Sequence, residues 1–216
     1  MPETTTRTWS TPGTYSWTVP YGVESIRGIA IGAGASSFND GNMNCGGGGA
    51  CAHGNVAVVP LETLTIILPA LGRTGMQDTL GPAIIRRGST DLIRAASASS
   101  RAGGTVEASI GTTRYAGGRG SIDASQTYPV YGGGAAGTTG AGSTYSRGEG
   151  ESFTDSETGA VVSNGNGGVK SGPQAGQAFG GGGAQNAQVA NNGASGLIVI
   201  QHVKIDPARC QPLFYL

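Results

Sequence analysis

Glycine decides what this chain can fold into. It supplies 41 of 216 residues, several-fold above the roughly 7% usual in globular proteins. It comes in tracts such as GGGAAGTTGAGS, residues 132–143. A tract of that kind is a phosphate-cradling loop, a linker, or a built element in which backbone packs on backbone. Each alternative makes a different demand on the flanking residues.

The nucleotide loop fails its demand. Gly132, Gly134 and Gly137 satisfy G-x-G-x-x-G, but that fingerprint needs a strand before it, a helix after it and an acid about twenty residues on. The preceding TYPVY is interrupted by Pro129, and the following AAGTTGAGSTYSRGEG has no helical pattern. The spacing of the glycines says more. Gly134, Gly137 and Gly140 stand three apart, as do Gly117 and Gly120, Gly165 and Gly168, and Gly193 and Gly196.

A three-residue period belongs to the polyproline II helix, which rises ~3.1 Å per residue and leaves its amides and carbonyls unpartnered within the helix. Glycine along one edge lets two such helices meet backbone to backbone and bond to each other. Gly132, Gly133 and Gly142 fall off this comb, and most tracts hold two repeats. Ordered loops lying on a sheet and a partly mobile linker therefore stand beside the bundle as alternatives. Ordering costs roughly 1–2 kcal/mol per residue against about 0.5–1.5 returned per hydrogen bond, so any bundle needs an anchor.

The ends of the chain offer that anchor. Tyr15, Trp17 and Val19 alternate with Thr14, Ser16 and Thr18, and Ser25–Ile31 puts Ile29 and Ile31 on one face with Arg27, opposite Ile26. Pro20–Gly22 reads as a hairpin turn between these two strands. Residues 55–59 and 63–68 read as further strands ended by Pro60 and Pro69. PAIIRR and TDLIRAA read as two more around Gly88 and Ser89, the second open to a single helical turn instead. GLIVIQHV is the most apolar run, and needs cover on both faces or a central place in a sheet. His202 on that strand is expected at the sheet surface.

The expected fold is mainly β. A β-sandwich-like domain is formed by the N-terminal strands and the last strand, with an inserted layer of polyproline II helices or ordered loops. The boundaries read as 1–102 for the N-terminal β region, 103–195 for the glycine-rich insert, 196–203 for the closing strand and 204–216 for a C-terminal tail.

Composition excludes several functions. With 13 basic and 13 acidic side chains, the positive field of a nucleic-acid binder is absent. No run approaches the ~20 apolar residues of a membrane span, and the N-terminus lacks the basic start and apolar run of a secretion signal. Cys45, Cys51 and Cys210 are too few for a disulfide framework, and whether the first two are bonded stays open. Asp155, Glu157, Glu149 and Glu151 flank Phe153 without the ligand alternation of a calcium loop, and read as a solvated loop. No catalytic set, metal site or cofactor site emerges.

Three stretches carry a resemblance: STPGTYSWTVPYGVESIRGIAIGAGA, CGGGGACAHGNVAVVPLETLTIILPALG and NNGASGLIVIQHV. They resemble the glycine-rich domain of tailed-bacteriophage tail proteins across about residues 9 to 203. Trp17, Val19, Pro20, Gly22, Val23, Ser25 and Ile26 stand at the opening motif, Gly46 to Gly49 with Ala50 at the glycine cluster, and Gly193, Gly196, Leu197, Ile198 and Ile200 at the close. The chain departs from the richest members in its shorter tracts, in Arg86, Arg87, Arg94 and Arg101, and in its final KIDPARCQPLFYL.

The resemblance implies a non-enzymatic virion protein: a minor tail, fibre or tip component contributing to host attachment, made in the host cytoplasm and carried on the phage tail or fibre. The alternative is a structural capsid or tail decoration or assembly protein without a host ligand. Expected partners are other virion subunits, in an oligomer, and a bacterial surface protein or glycan. Tyr128, Tyr131, Tyr145 and Phe153 are the expected host-contact aromatics. Leu213, Phe214, Tyr215 and Leu216 are expected to dock on a neighbouring subunit or to fold back onto the chain's own sheet, since burial is worth about 1.5–3 kcal/mol per side chain.

Overall fold

The period-two alternation of the N-terminal sequence becomes strands in the computed structural model, which describes residues 3–39, 43–71, 80–123, 131–144, 146–167, 175–184 and 191–203. In chain order these are β1 (Thr4–Trp9), β2 (Gly13–Thr18), β3 (Ser25–Ile31), β4 (Phe38–Asn39), β5 (Met43–Asn44), β6 (Cys51–Ala57) and β7 (Thr63–Leu68). They continue with β8 (Ala83–Arg87), β9 (Thr90–Ala95), β10 (Thr113–Tyr115), β11 (Ile122–Asp123), β12 (Phe153–Thr154), β13 (Val161–Val162) and β14 (Leu197–Val203). The fold is all-β, with no helix among the described residues.

One sheet has the order β1-β14-β3-β6-β10 and a second β2-β7-β8-β9, every pair antiparallel. The N- and C-terminal strands are thus neighbours. Along β3 the side chains split by parity. Ile26 and Ala30 join Leu64, Ile66, Ile85 and Ile93 of the second sheet in one apolar core. Ile29 and Ile31 point the other way, into a core shared with Ala135, Ala136, Phe153 and Val162. The run Leu197–Ile200 divides likewise and is fully buried, which explains why four consecutive residues are apolar. The five-stranded sheet therefore has one face against the second sheet and the other against residues of the glycine-rich segments.

Two expectations need correction. Pro20–Gly22 does form a turn, with the Val23 N–H donating to the Pro20 carbonyl at 3.2 Å and Gly22 at φ +77°, the left-handed angle that position demands. It is not a hairpin turn. β2 pairs with β7 and β3 with β14 and β6, so the turn carries the chain from one sheet to the other. His202 is not on the surface. It shares parity with Ile198 and Ile200, is buried, and lies 6.1 Å from Trp17 between ring centroids.

Beyond the strands, backbone bonds to backbone across long sequence separations. Gly48 N–H donates to the Gly118 carbonyl, Gly118 to Gly134, and Gly134 to Ser143, each at 2.8–2.9 Å. Gly46 donates to Gly183, Gly183 to Ala35 and Ala35 to Gly47. Residues 32–37 and 44–50 thus hydrogen-bond into the same layer as the segments after residue 115.

Candidate functional site

The segments leaving the strands define a long axis. β3 runs from Ser25 to Ile31 and continues through residues 32–37 to the β4–β5 pair, with β11 beside β5. One end of the axis carries the turns at 20–23 and 58–62. The other carries the β4–β5–β11 sheet and the reversal at 99–102.

The first end is apolar. Tyr21, Val59 and Leu61 are 69%, 62% and 62% exposed. The two turns are tied together: Leu61 N–H donates to the Val19 carbonyl, Val19 N–H to Glu62, and Val58 N–H to Glu24. Glu62 also accepts the Val59 N–H and both Nε and an Nη of Arg87. The Arg87 hydrogen bond holds the Glu62 carboxyl below its usual range. Leu61 adopts φ +67°, a left-handed angle that is uncommon outside glycine.

The opposite end holds a hollow of about 420 Å³ lined by Phe38, Asn44, Ser99–Ala102, Arg119 and Ile122. Its reversal is tightly fixed. Ser99 and Ala102 exchange N–H···O bonds of 3.1 and 3.0 Å, the Ser100 carbonyl accepts Gly47 N–H, and the Arg101 carbonyl accepts Gly120 N–H. Ser100 sits at φ +54°, the second left-handed non-glycine residue among those described. Glycine is required behind this wall: a Cβ on Gly47 would lie 2.4 Å from the Ala102 carbonyl oxygen, and one on Gly120 would lie 2.0 Å from that of Cys45.

A second hollow, of about 360 Å³, involves Arg27, His53, Asn55 and Thr113 on the five-stranded sheet. Its charged groups are already matched. Arg27 forks onto both oxygens of Glu151 at 2.8 and 3.1 Å, which lowers the pKa of Glu151, and the His53 Nε2 lies 2.9 Å from the Thr138 carbonyl oxygen. That arrangement closes the layers together and leaves little to offer a ligand.

Of the expected contact aromatics, Tyr131 is half-buried, and its N–H donates to Ser121 Oγ at 2.7 Å beside β11. Phe153 is a correction. At 3% exposure it packs with Ile29, Ile31 and Leu197, because few other large side chains are available to fill that layer. Tyr128, Tyr145 and the tail residues Leu213, Phe214, Tyr215 and Leu216 lie outside the described residues.

The acidic loop is not simply solvated. Asp155 is buried and accepts from the N–H and hydroxyl of both Thr8 and Thr158 and from the N–H of Glu157. Burial pushes its pKa up, but the N–H and hydroxyl donors of Thr158 and Thr8 outweigh it and leave it below the usual aspartate range. With the Ser156–Thr6 bonds, this pins the β12–β13 turn to the outer edge of β1. Cys45 and Cys51 are both buried with no bond between them, and burial drives the Cys51 thiol up to about 12. No group of three or more metal-ligating side chains occurs among the described residues.

The arrangement is an all-β protein with an exposed apolar turn cluster at one end of the five-stranded sheet and a hollow lined by two arginines beyond the other. No family model and no curated protein matches the chain.

Proposed function

We propose that the protein is a non-enzymatic bacteriophage virion component, a glycine-rich tail or tail-fibre protein that contributes to host attachment. In this reading the two sheets form a β-sandwich-like domain, and the glycine segments form a layer of polyproline II helices standing on it.

The observation that carries the proposal is the three-residue register of backbone contacts. A Cβ built on Gly46 or Gly49 meets the carbonyl of Ala35 or Gly32, three apart on both segments; Gly117 and Gly120 likewise meet Gly48 and Cys45. Between them, Gly47 faces Ala102 and Gly48 faces Gly134. Successive glycines thus point to different neighbours and every third returns to the same one, the pattern of a threefold helix surrounded by others. Such a layer stiffens the chain without an oily interior, and it would hold the far end of the molecule as a rigid platform for recognition.

The exposed Tyr21, Val59 and Leu61 favour a second reading for the other end: assembly onto another virion subunit, which alone would make this a structural tail or capsid component. Particles lacking the protein separate the two. An attachment protein's loss leaves intact particles that do not adsorb, whereas a purely structural component's loss yields defective particles or normal adsorption. Antibody labelling in electron microscopy should place the protein at the tail or fibre; labelling of the shell would sink the attachment reading.

A further inference from the structure

Most arginines among the described residues are answered. Arg7 pairs with Glu157, Arg27 with Glu151, Arg86 with Asp91 and Arg87 with Glu62. Arg114 donates to the carbonyls of Val106 and Ser109, and Arg147 to Ser163 Oγ and the Asn164 carbonyl. Three side chains have no partner among the described residues: the Arg94 Nε is buried without a hydrogen bond, whereas Arg101 and Arg119 both line the 420 Å³ hollow at the end away from the apolar turns.

We propose that this hollow binds an acidic saccharide, with Arg101 and Arg119 holding the anionic substituent, a phosphate or a carboxylate, of a sugar. The planar guanidinium presents paired donors that match either oxyanion bidentately. A volume of 420 Å³ falls within the roughly 300–1,000 Å³ of small-ligand sites. The remaining lining is mixed in the way a sugar ring is mixed. Ser99 and Ser100 bring hydroxyls, while Phe38 and the 48% exposed Ile122 bring apolar surface. The hollow is also preorganised, since the main chain under Arg101 is tied to Gly47 and Gly120. A fixed scaffold lowers the ordering cost of binding.

This proposal rests on the attachment reading for its biological sense, and its test is independent of it. The full chain is titrated with glucose 6-phosphate, glucuronic acid, glucose and inorganic phosphate, following the backbone amides of Ser100, Arg101 and Gly120 by NMR. At least one acidic sugar should saturate these shifts, more weakly at high salt, and glucose should not. The stronger of glucose 6-phosphate and glucuronic acid identifies the anion. Arg101→Gln or Arg119→Gln should weaken that binding at least tenfold with an unchanged thermal midpoint. The proposal fails if neither acidic sugar saturates, if glucose binds as well, if inorganic phosphate alone matches the sugars, or if both variants bind like the parent. Failure here, alongside lost adsorption of particles lacking the protein, removes the saccharide site and leaves the attachment reading standing. Binding here with normal adsorption of such particles does the reverse.

Discussion

Replacing Gly48 by alanine tests the glycine layer at a point where the outcome can be worked out in advance. The new Cβ would lie 2.2 Å from the Gly134 carbonyl oxygen and 2.4 Å from its carbon. Both obstacles are main chain, so no side chain can swing away, and the two segments must separate by about 1 Å or more. That displacement strains four hydrogen bonds: Gly48 to Gly118, Gly104 to Gly48, Gly47 to Ser100 and Gly49 to Gly180, all at 2.8–2.9 Å. At about 0.5–1.5 kcal/mol each, the four together are worth about 2–6 kcal/mol, offset by about 0.4–1 kcal/mol from the stiffer unfolded chain. The expected net loss is about 1–5.5 kcal/mol. Gly81 is the control, because nothing lies within 4 Å of its built Cβ and its φ is not left-handed. Gly81→Ala should be neutral or stabilising by up to about 1 kcal/mol. Urea melts of both variants give the comparison, and hydrogen exchange at Gly118 and Gly134 localises it. If Gly48→Ala costs less than about 1 kcal/mol, or matches Gly81→Ala, close backbone packing is not what holds this layer together.

Asp155→Asn should cost about 2–3 kcal/mol, the scale of hydrogen bonds to a charged group. A carboxylate with a lowered folded pKa gives its full contribution above the ordinary aspartate value of about 3.9, and loses it as pH falls through the folded value. Acid melts of the parent should show that loss, and the Asn variant should show a shallower slope; equal slopes would refute the role given to Asp155. Iodoacetamide at pH 8 should leave Cys45 and Cys51 unlabelled in the native protein and label both in urea, as mass spectrometry of peptides would show. Phe153→Ala should cost about 3–5 kcal/mol as a core deletion; a loss below about 1 kcal/mol would return Phe153 to the surface. Leu61→Gly relieves a left-handed leucine, and should leave the isolated chain as stable or stabilise it by up to about 1 kcal/mol, read by thermal melting.

The strands were legible because burial writes itself into parity. Ile26 against Ile29 and Ile31, and the doubly buried Leu197–Ile200, could be assigned to faces from sequence alone. The same rule would have placed His202 inward with Ile198 and Ile200, had parity been given more weight than polarity. β7 has the expected bounds, whereas β6 starts at Cys51, earlier than residue 55, because the glycine cluster feeds it directly. The turn at Pro20–Gly22 was recognisable from its residues, but a turn's chemistry does not say whether its flanking strands pair. The off-comb glycines have a reason the period alone hides. Gly133 faces the Gly118 carbonyl and Gly142 faces Gly134, so a segment with neighbours on several sides needs glycine in more than one phase. Phe153 misled because an aromatic among polar residues is the pattern of a contact and equally of a lone core plug. The hollow was illegible for a simpler reason: Ser99–Arg101, Arg119 and Phe38 are joined by folding across more than 80 residues, with no local pattern.

Leu61 and Ser100 connect the two ends of the molecule in one argument. Among the described residues they are the only non-glycine positions at positive φ, at +67° and +54°. Holding such angles costs on the order of 1–3 kcal/mol and persists only where surrounding structure fixes them, and sites of this kind cluster where side chains have work to do. In a chain that uses 41 glycines, glycine at either place would relieve the strain. What glycine would remove is an exposed leucine beside Tyr21 and Val59 at one end, and a hydroxyl beside Arg101 at the other. Both strained residues therefore sit where the proposed reading puts a contact with something outside the chain, Ser100 at the edge where the reversal at 99–102 bonds to Gly47. On the proposed reading, strain distributed in this way belongs to a spacer with a contact at each end. A scaffold with a single docking face would give no reason for the second left-handed residue to carry a side chain.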